Sequence, residues 1–238
     1  MSLIDFFLHF CGMKLFIVAA TEAEIAPLLE RLGPYRQGDI FVWDALRIRA
    51  IVTGVGLRAA AWRLGRAFAL EAPDYALQGG VGGAIDRSLA LGDVVYVASE
   101  AVADLGAETP EGDLIDLFAL GLAKPNTPPY RGSLLLAPPA SFLRSVSGVS
   151  VNAVHGSERS IARLRRRYPQ AQVESMEGAA FFYACLQAGV PFAQVRAISN
   201  YVEPRNRDAW NLPLAIANLN QTLWDMLDKL RQGAGFDV

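Results

Sequence analysis

Val173-Glu174-Ser175-Met176-Glu177-Gly178-Ala179-Ala180, together with the run that ends at Arg196-Ala197-Ile198-Ser199-Asn200, decides how this chain folds. Residues 176–188 are rich in helix formers and aromatics and hold no proline, which predicts a buried helix. Ser175 stands where an N-cap would accept from a free backbone N–H. Glu177 then falls in the first turn, where the helix dipole favours a carboxylate. Gly189 closes the helix and Pro191 forbids its continuation. Residues 192–198 have the length of a buried strand, which stops at the small polar residues Ser199 and Asn200. Ligands bind at the carboxyl ends of strands in open α/β sheets, so Glu177 and Ser199-Asn200 are expected to face one pocket.

Upstream, residues 14–20 are continuously apolar, as a strand covered on both faces would be. A helix follows from Thr21 to residue 32, ended by Gly33-Pro34. Thr21 and Glu24 have the spacing of a capping box, the simpler local role for Glu24. The functional alternative is a catalytic carboxylate just past a strand's carboxyl end. Residues 41–43 and 46–53 read as strands turning at Asp44-Ala45. Gly54-Val55-Gly56, with Ala59 at the third glycine position and a helix over residues 57–72, partly matches a dinucleotide fingerprint. The ribose-holding acid is missing, since Asp74 precedes the next strand and Gln78 ends it, so a tight strand-to-helix turn is the better reading.

A short strand over residues 75–78 runs into Gly79-Gly80-Val81-Gly82-Gly83, where four glycines in five residues would let Gly80 and Val81 approach a sugar or a phosphate. Residues 93–103 are strongly β-prone, and residues 104–130 read as a long irregular segment suited to a lid or a partner contact. Further strands are expected at 134–136, 150–154 and 171–173, and helices at 140–146 and 158–167. The last helix, residues 212–232, tolerates Pro213 in its first turn and aligns Ile216, Leu219, Leu223, Leu227 and Leu230 on one face. Strands alternating with helices imply a single-domain α/β fold around a central, largely parallel or mixed sheet.

With 238 residues and 52% apolar content, one domain can fill a real core. The 22 basic and 24 acidic side chains leave no basic excess for nucleic acid or an anionic membrane. Arg163, Arg165, Arg166 and Arg167 read as the solvated face of a helix. Cys11 and Cys185 are far apart, which fits a reduced, cytoplasmic protein, and His9 and His155 are too few for a histidine metal site or triad. No metal or cofactor is expected. Residues 1–12 carry Asp5 and no basic leader, and read as an extension before a domain over residues 13–238.

Four stretches then carry a family likeness: Lys14 through Glu24, Gly79 through Gly83, Glu174 through Ala180, and Arg196 through Asn200. In this order they resemble the purine nucleosidase and phosphorylase superfamily. Within it the chain is most similar to the futalosine hydrolases, on Glu174 through Phe181, on Ser199-Asn200-Tyr201-Val202-Glu203 with Arg205-Asn206-Arg207, and on Asp104 through Glu108. The resemblance implies a nucleoside phosphorylase-like fold and hydrolysis of a purine nucleoside that releases hypoxanthine. It implies that Glu24 handles the attacking water, Glu177 binds the ribose hydroxyls and Met176 packs on the ribose. It also implies a homodimer or larger homo-oligomer.

Adenine-directed relatives, the methylthioadenosine/S-adenosylhomocysteine nucleosidases, have aspartate where this chain has Asn200. An asparagine amide can donate to the O6 of a 6-oxopurine, or turn to N7. Phosphorylases of the superfamily commonly carry a phosphate-binding arginine just before the glycine run, where this chain has Ala76-Leu77-Gln78; Arg58 leaves phosphate open. Arg205 and Arg207 are either cations for the substrate's distant carboxylate or ordinary surface residues. The family's base-stacking aromatic would fall near residues 155–160, where this chain is shorter, and is not assigned. An adenine nucleosidase and a non-catalytic nucleoside or dinucleotide binder are the competing readings.

Overall fold

The computed structural model describes residues 12–233, so the expected extension, Gly12 excepted, lies outside the described residues. In chain order the strands are β1 Met13–Ala19, β2 Arg36–Gln37, β3 Ile40–Trp43, β4 Leu46–Val52, β5 Tyr75–Ala84, β6 Val94–Val102, β7 Gly106–Glu108, β8 Leu114–Asp116, β9 Leu135–Leu136, β10 Ser145–Ser150, β11 Val173–Ser175 and β12 Phe192–Tyr201. The helices are α1 Glu22–Leu32, α2 Leu57–Leu70, α3 Glu158–Arg167, α4 Gly178–Ala188 and α5 Leu212–Arg231.

A mixed sheet in the order β11-β10-β6-β12-β5-β1-β4-β3-β2 forms the centre, and β11 also pairs antiparallel with β5. That extra pairing curls one end of the sheet into a closed ring of β5, β12, β6, β10 and β11. Helices cover both faces. On one, Ile25, Leu28 and Leu32 of α1 and Leu219, Leu223 and Leu227 of α5 pack on Leu15, Ile17 and Val195. On the other, Leu64 of α2 and Phe181, Phe182 and Cys185 of α4 pack on Phe16, Val18 and Phe192. The continuous apolar runs of β1 and β12 follow from this two-sided burial.

Several expectations are corrected. The strand expected at 75–78 does not stop before the glycine run but continues through it to Ala84, as the ten-residue strand β5. Its glycines make room for side chains that cross the strand: a Cβ would fall 2.8 Å from Leu223 at Gly79 and 2.9 Å from Val173 at Gly82. Residues 140–146 are not helical, because Ser145 and Val146 join β10 and pair with Tyr96 and Val97 of β6; tertiary pairing overrides the local helix preference. The strand expected at 150–154 is this β10, ending at Ser150. Helix α4 begins at Gly178, two residues later than expected, so Ser175 lies in β11 and Glu177 itself is the N-cap residue. The irregular segment 104–130 contains the small β7–β8 sheet.

Candidate active site

Glu24 is placed by the first turn of α1 and is 8% exposed. Its Oε2 accepts from the Thr21 backbone N–H at 2.9 Å and from the Thr21 hydroxyl at 3.1 Å, while Oε1 accepts from the Val81 N–H at 3.1 Å. The capping and pocket roles thus fall on different oxygens. Since a carboxylate oxygen accepts about two hydrogen bonds, Oε1 keeps one lone-pair direction for a water. The Glu24 backbone is pinned as well. The Asn220 amide donates to the Glu24 carbonyl at 2.9 Å and accepts from the Leu28 N–H at 2.9 Å, bridging two groups that a helical turn would pair directly.

Glu177 is 4% exposed, and its Oε1 accepts from the Gly56 N–H at 3.0 Å. Gly56 caps α2 with φ 92°, a left-handed conformation that glycine tolerates. The glycine turn that resembles a phosphate cradle therefore holds a protein carboxylate at a helix N-terminus. Glu177 Oε2 lies 3.6 Å from Arg196 Nη1. Arg196, 2% exposed, also donates to the Val81 carbonyl at 3.3 Å and to Gln78 Oε1 at 3.5 Å. A Cβ on Gly80 would strike Arg196 Nη1 and lie 3.1 Å from Glu24 Oε1. The two glutamates therefore meet around the guanidinium tip, in space that Gly80 leaves open.

Asn200 lies further along. A register shift between Ile198 and Asn200 re-aims the end of β12 and sets Asn200 against Gly83. Its Oδ1 accepts from the Ser199 hydroxyl at 2.8 Å, and its Nδ2 donates to the Tyr201 carbonyl at 3.0 Å. The second N–H of that amide is left for a ligand. From Gly80 to Gly83 is about 10 Å along the strand, comparable with the reach of a purine nucleoside.

The other expected residues divide. Val81 and Gly80 sit between the glutamates. Met176 is half-buried in the turn before Glu177. Ser175 points inward, its Oγ 3.4 Å from that of Ser150 and accepting from the Gly178 N–H at 3.4 Å. Arg205 and Arg207 both lie beside the Trp210 ring, at 5.8 and 5.7 Å, and Arg205 shares a small cavity with Asn200. Gln78 is 1% exposed and committed to Gln194, so it offers nothing to a phosphate.

The sequence reading missed three groups. Arg196 is one; a lone charge inside an apolar strand was its signal, since such a charge must be paired. Glu100 is another, on β6. Burial pushes its carboxyl up to about 8, against the opposing effects of Arg196 and the Ser150 hydroxyl, with Glu177 adding to the rise. Its Oε2 accepts from Ser150 at 2.9 Å and its Oε1 is buried without a partner. The third is His155, bonded to Glu174 through both its backbone N–H and Nδ1. Among the described residues no cluster of histidine, cysteine and carboxylates could hold a metal ion, and no helix is long and apolar enough to cross a membrane.

Proteins similar to this chain include nucleosidases. The chain is 34% identical over 218 residues to a futalosine hydrolase of Acidothermus cellulolyticus, covering 87% of this chain and 88% of that one. It is 31% identical over 207 residues to a futalosine hydrolase of Thermus thermophilus, covering 82% and 90%. Its fold matches the crystal structure of a methylthioadenosine/S-adenosylhomocysteine nucleosidase from Colwellia psychrerythraea in complex with adenine, with a TM-score of 0.77 and 24% identity over 95% of this chain and 98% of that one. Residues 14–228 match the phosphorylase superfamily, and the chain belongs to that superfamily.

Proposed function

We propose that this chain hydrolyses the N-glycosidic bond of futalosine, releasing hypoxanthine and the base-free sugar. The observation that carries the reading is the meeting of Glu24 and Glu177 around Arg196 and Gly80. Cleavage of an N-glycosidic bond builds positive charge on the ribosyl ring, so carboxylates beside the ring lower the barrier. Glu24, through the open side of Oε1, orients and deprotonates the attacking water. Glu177, held by Gly56 and Arg196, accepts from the ribose hydroxyls, Met176 packs on the sugar, and Arg196 keeps two nearby carboxylates from repelling each other. Water rather than phosphate is the nucleophile because buried Gln78 stands where a phosphate-binding arginine would be needed, and Arg196 is already paired.

Asn200 sets the base. An amide held by Ser199 donates its free N–H to a 6-oxo group, which favours hypoxanthine over adenine. A second reading, adenine release from methylthioadenosine or S-adenosylhomocysteine, is favoured by relatives such as the Colwellia psychrerythraea nucleosidase, 26% identical over 92% of this chain. Comparing futalosine with methylthioadenosine, in the intact chain and in Asn200→Asp, separates the two. The proposal expects hypoxanthine release by the intact chain and a shift toward the 6-amino substrate in the variant; an unchanged preference removes Asn200 from the account.

We place the reaction in the cytoplasm and a second copy of the chain on the apolar face of α2 and α4. There a hollow of about 830 Å³ is lined by Leu57, Phe68, Leu105, Tyr130 and Tyr183. Leu57 directly follows Gly56, so a subunit seated there closes the 5′ side of the sugar. Sedimentation of Tyr183→Glu tests this: a shift to monomer is expected, and an unchanged mass moves the interface elsewhere.

A further inference from the structure

A purine gains negative charge as its glycosidic bond breaks, and Asn200 has no proton to give it. His155 stands on the same cavity as Asn200. It lines, with Glu174 and Asn200, one small cavity of about 60 Å³. The backbone builds this arrangement: Gly83 of β5 pairs with Glu174 of β11 on one side and with Asn200 of β12 on the other. Two polar side chains thus flank a single glycine. With neighbouring strands about 4.8 Å apart, the gap between them spans roughly two strand spacings, wide enough for a ring edge. A Cβ on Gly83 would lie 3.1 Å from Asn200 Nδ2 and 3.0 Å from Val202, closing that gap.

Glu174 is 4% exposed and holds the histidine at two points, accepting from its backbone N–H at 3.1 Å and bonding its Nδ1. The double hold fixes the ring plane and keeps a hydrogen on Nδ1, leaving Nε2 as the nitrogen that works.

Resting on the hydrolytic reading above, we propose that His155 is the general acid that protonates the departing purine, with Glu174 as its positioning residue and Asn200 orienting the base. The C1′–N9 bond breaks and its electron pair stays with the purine, while the proton on Nε2 of the imidazolium passes to N7. The water oxygen bonds to C1′ and its proton passes to the Glu24 carboxylate. Neutral imidazole and protonated Glu24 then exchange with solvent, which restores both. The charged groups that line a cavity together with His155 are Glu174 from β11, Glu203 and Arg205 from the segment after β12, and Asp104, Glu108, Asp113, Arg163, Arg166 and Arg167 of the outer cleft.

The test compares the intact chain with His155→Gln on futalosine and on its N7-methylated derivative, whose base departs without taking up a proton. The expected result is a loss of about a hundredfold in kcat on futalosine and less than about threefold on the methylated substrate, the size of a general-acid contribution. Glu174→Gln should lose about tenfold on futalosine, and the double variant should be no worse than His155→Gln alone. If the intact chain rejects the methylated base, the alkaline limb of its kcat/KM profile on futalosine reads the same proton, and that limb is expected to vanish in His155→Gln. Equal losses on both substrates, full activity of His155→Gln, or a persisting alkaline limb overturns the proposal and leaves the hydrolytic reading standing. No turnover of either substrate by the intact chain overturns the hydrolytic reading itself.

Discussion

Glu177 Oε2 lies 3.6 Å from Arg196 Nη1, with the two side chains 6% and 2% exposed. Removing one partner of a buried pair leaves the other uncompensated, which costs about 3–5 kcal/mol. Arg196→Met should therefore lower unfolding stability by about 3 kcal/mol and, by freeing Glu177, lower kcat/KM about a hundredfold or more. Arg196→Lys should recover little, because one ammonium cannot serve Gln78, Val81 and Glu177 together. Denaturant titration and steady-state kinetics read both effects, and a fully active Lys variant would contradict this role.

Gly80 contributes by lacking a side chain. Its Cβ would strike the Arg196 guanidinium beside Glu24. Gly80→Ala should fold yet lose about tenfold to a hundredfold in kcat, the effect of misplacing catalytic groups by an ångström. Wild-type kinetics in a folded Gly80→Ala protein would show that the space above Gly80 is not used.

The two glutamates should separate on stability. Glu24→Gln weakens the hold on Thr21 and should cost about 1 kcal/mol of stability, in the range of other helix caps. Its rate loss should be about a hundredfold or more, seen in kcat with futalosine. Glu177→Gln should instead show much of its loss in KM, because the sugar-binding role proposed for Glu177 acts before and during the reaction. Calorimetry with kinetics on both variants checks this, and interchangeable profiles would merge the two roles.

Glu100 predicts a pH effect. Burial raises its folded-state pKa to about 8 from an ordinary 4.5. Between these values the folded chain holds a proton that the unfolded chain has released, so the stability tied to this proton is full below the lower value and falls as pH rises toward the upper. The slope is at most about 1.4 kcal/mol per pH unit. Glu100→Gln should flatten the fall between about pH 5 and 8 relative to the parent chain, measured by denaturant midpoints. Parallel curves would place the Glu100 pKa near its ordinary value.

Much of this was legible in the sequence, and the rest was hidden for identifiable reasons. The apolar run of β1, the helix 158–167 and the capping spacing of Thr21 and Glu24 depend on local chemistry, and they stand where local chemistry puts them. The strand at 75–78 reads short because glycine marks either a turn or a strand crossed closely by other side chains, and only Leu223 and Val173, remote in sequence, decide between them. Strand β10 was misplaced because its pairing with β6 outweighs the helix preference around residues 140–146. Arg196 and Glu100 escaped notice because each completes a buried network whose other members come from distant strands.

The most direct measurement is the fate of the sugar when the purified chain is incubated with futalosine in water enriched in oxygen-18, with and without inorganic phosphate. Water attack guided by Glu24 predicts hypoxanthine release at the same rate in both conditions and a free sugar carrying one heavy oxygen at C1′. A phosphorylated sugar, or release that requires phosphate, would contradict it.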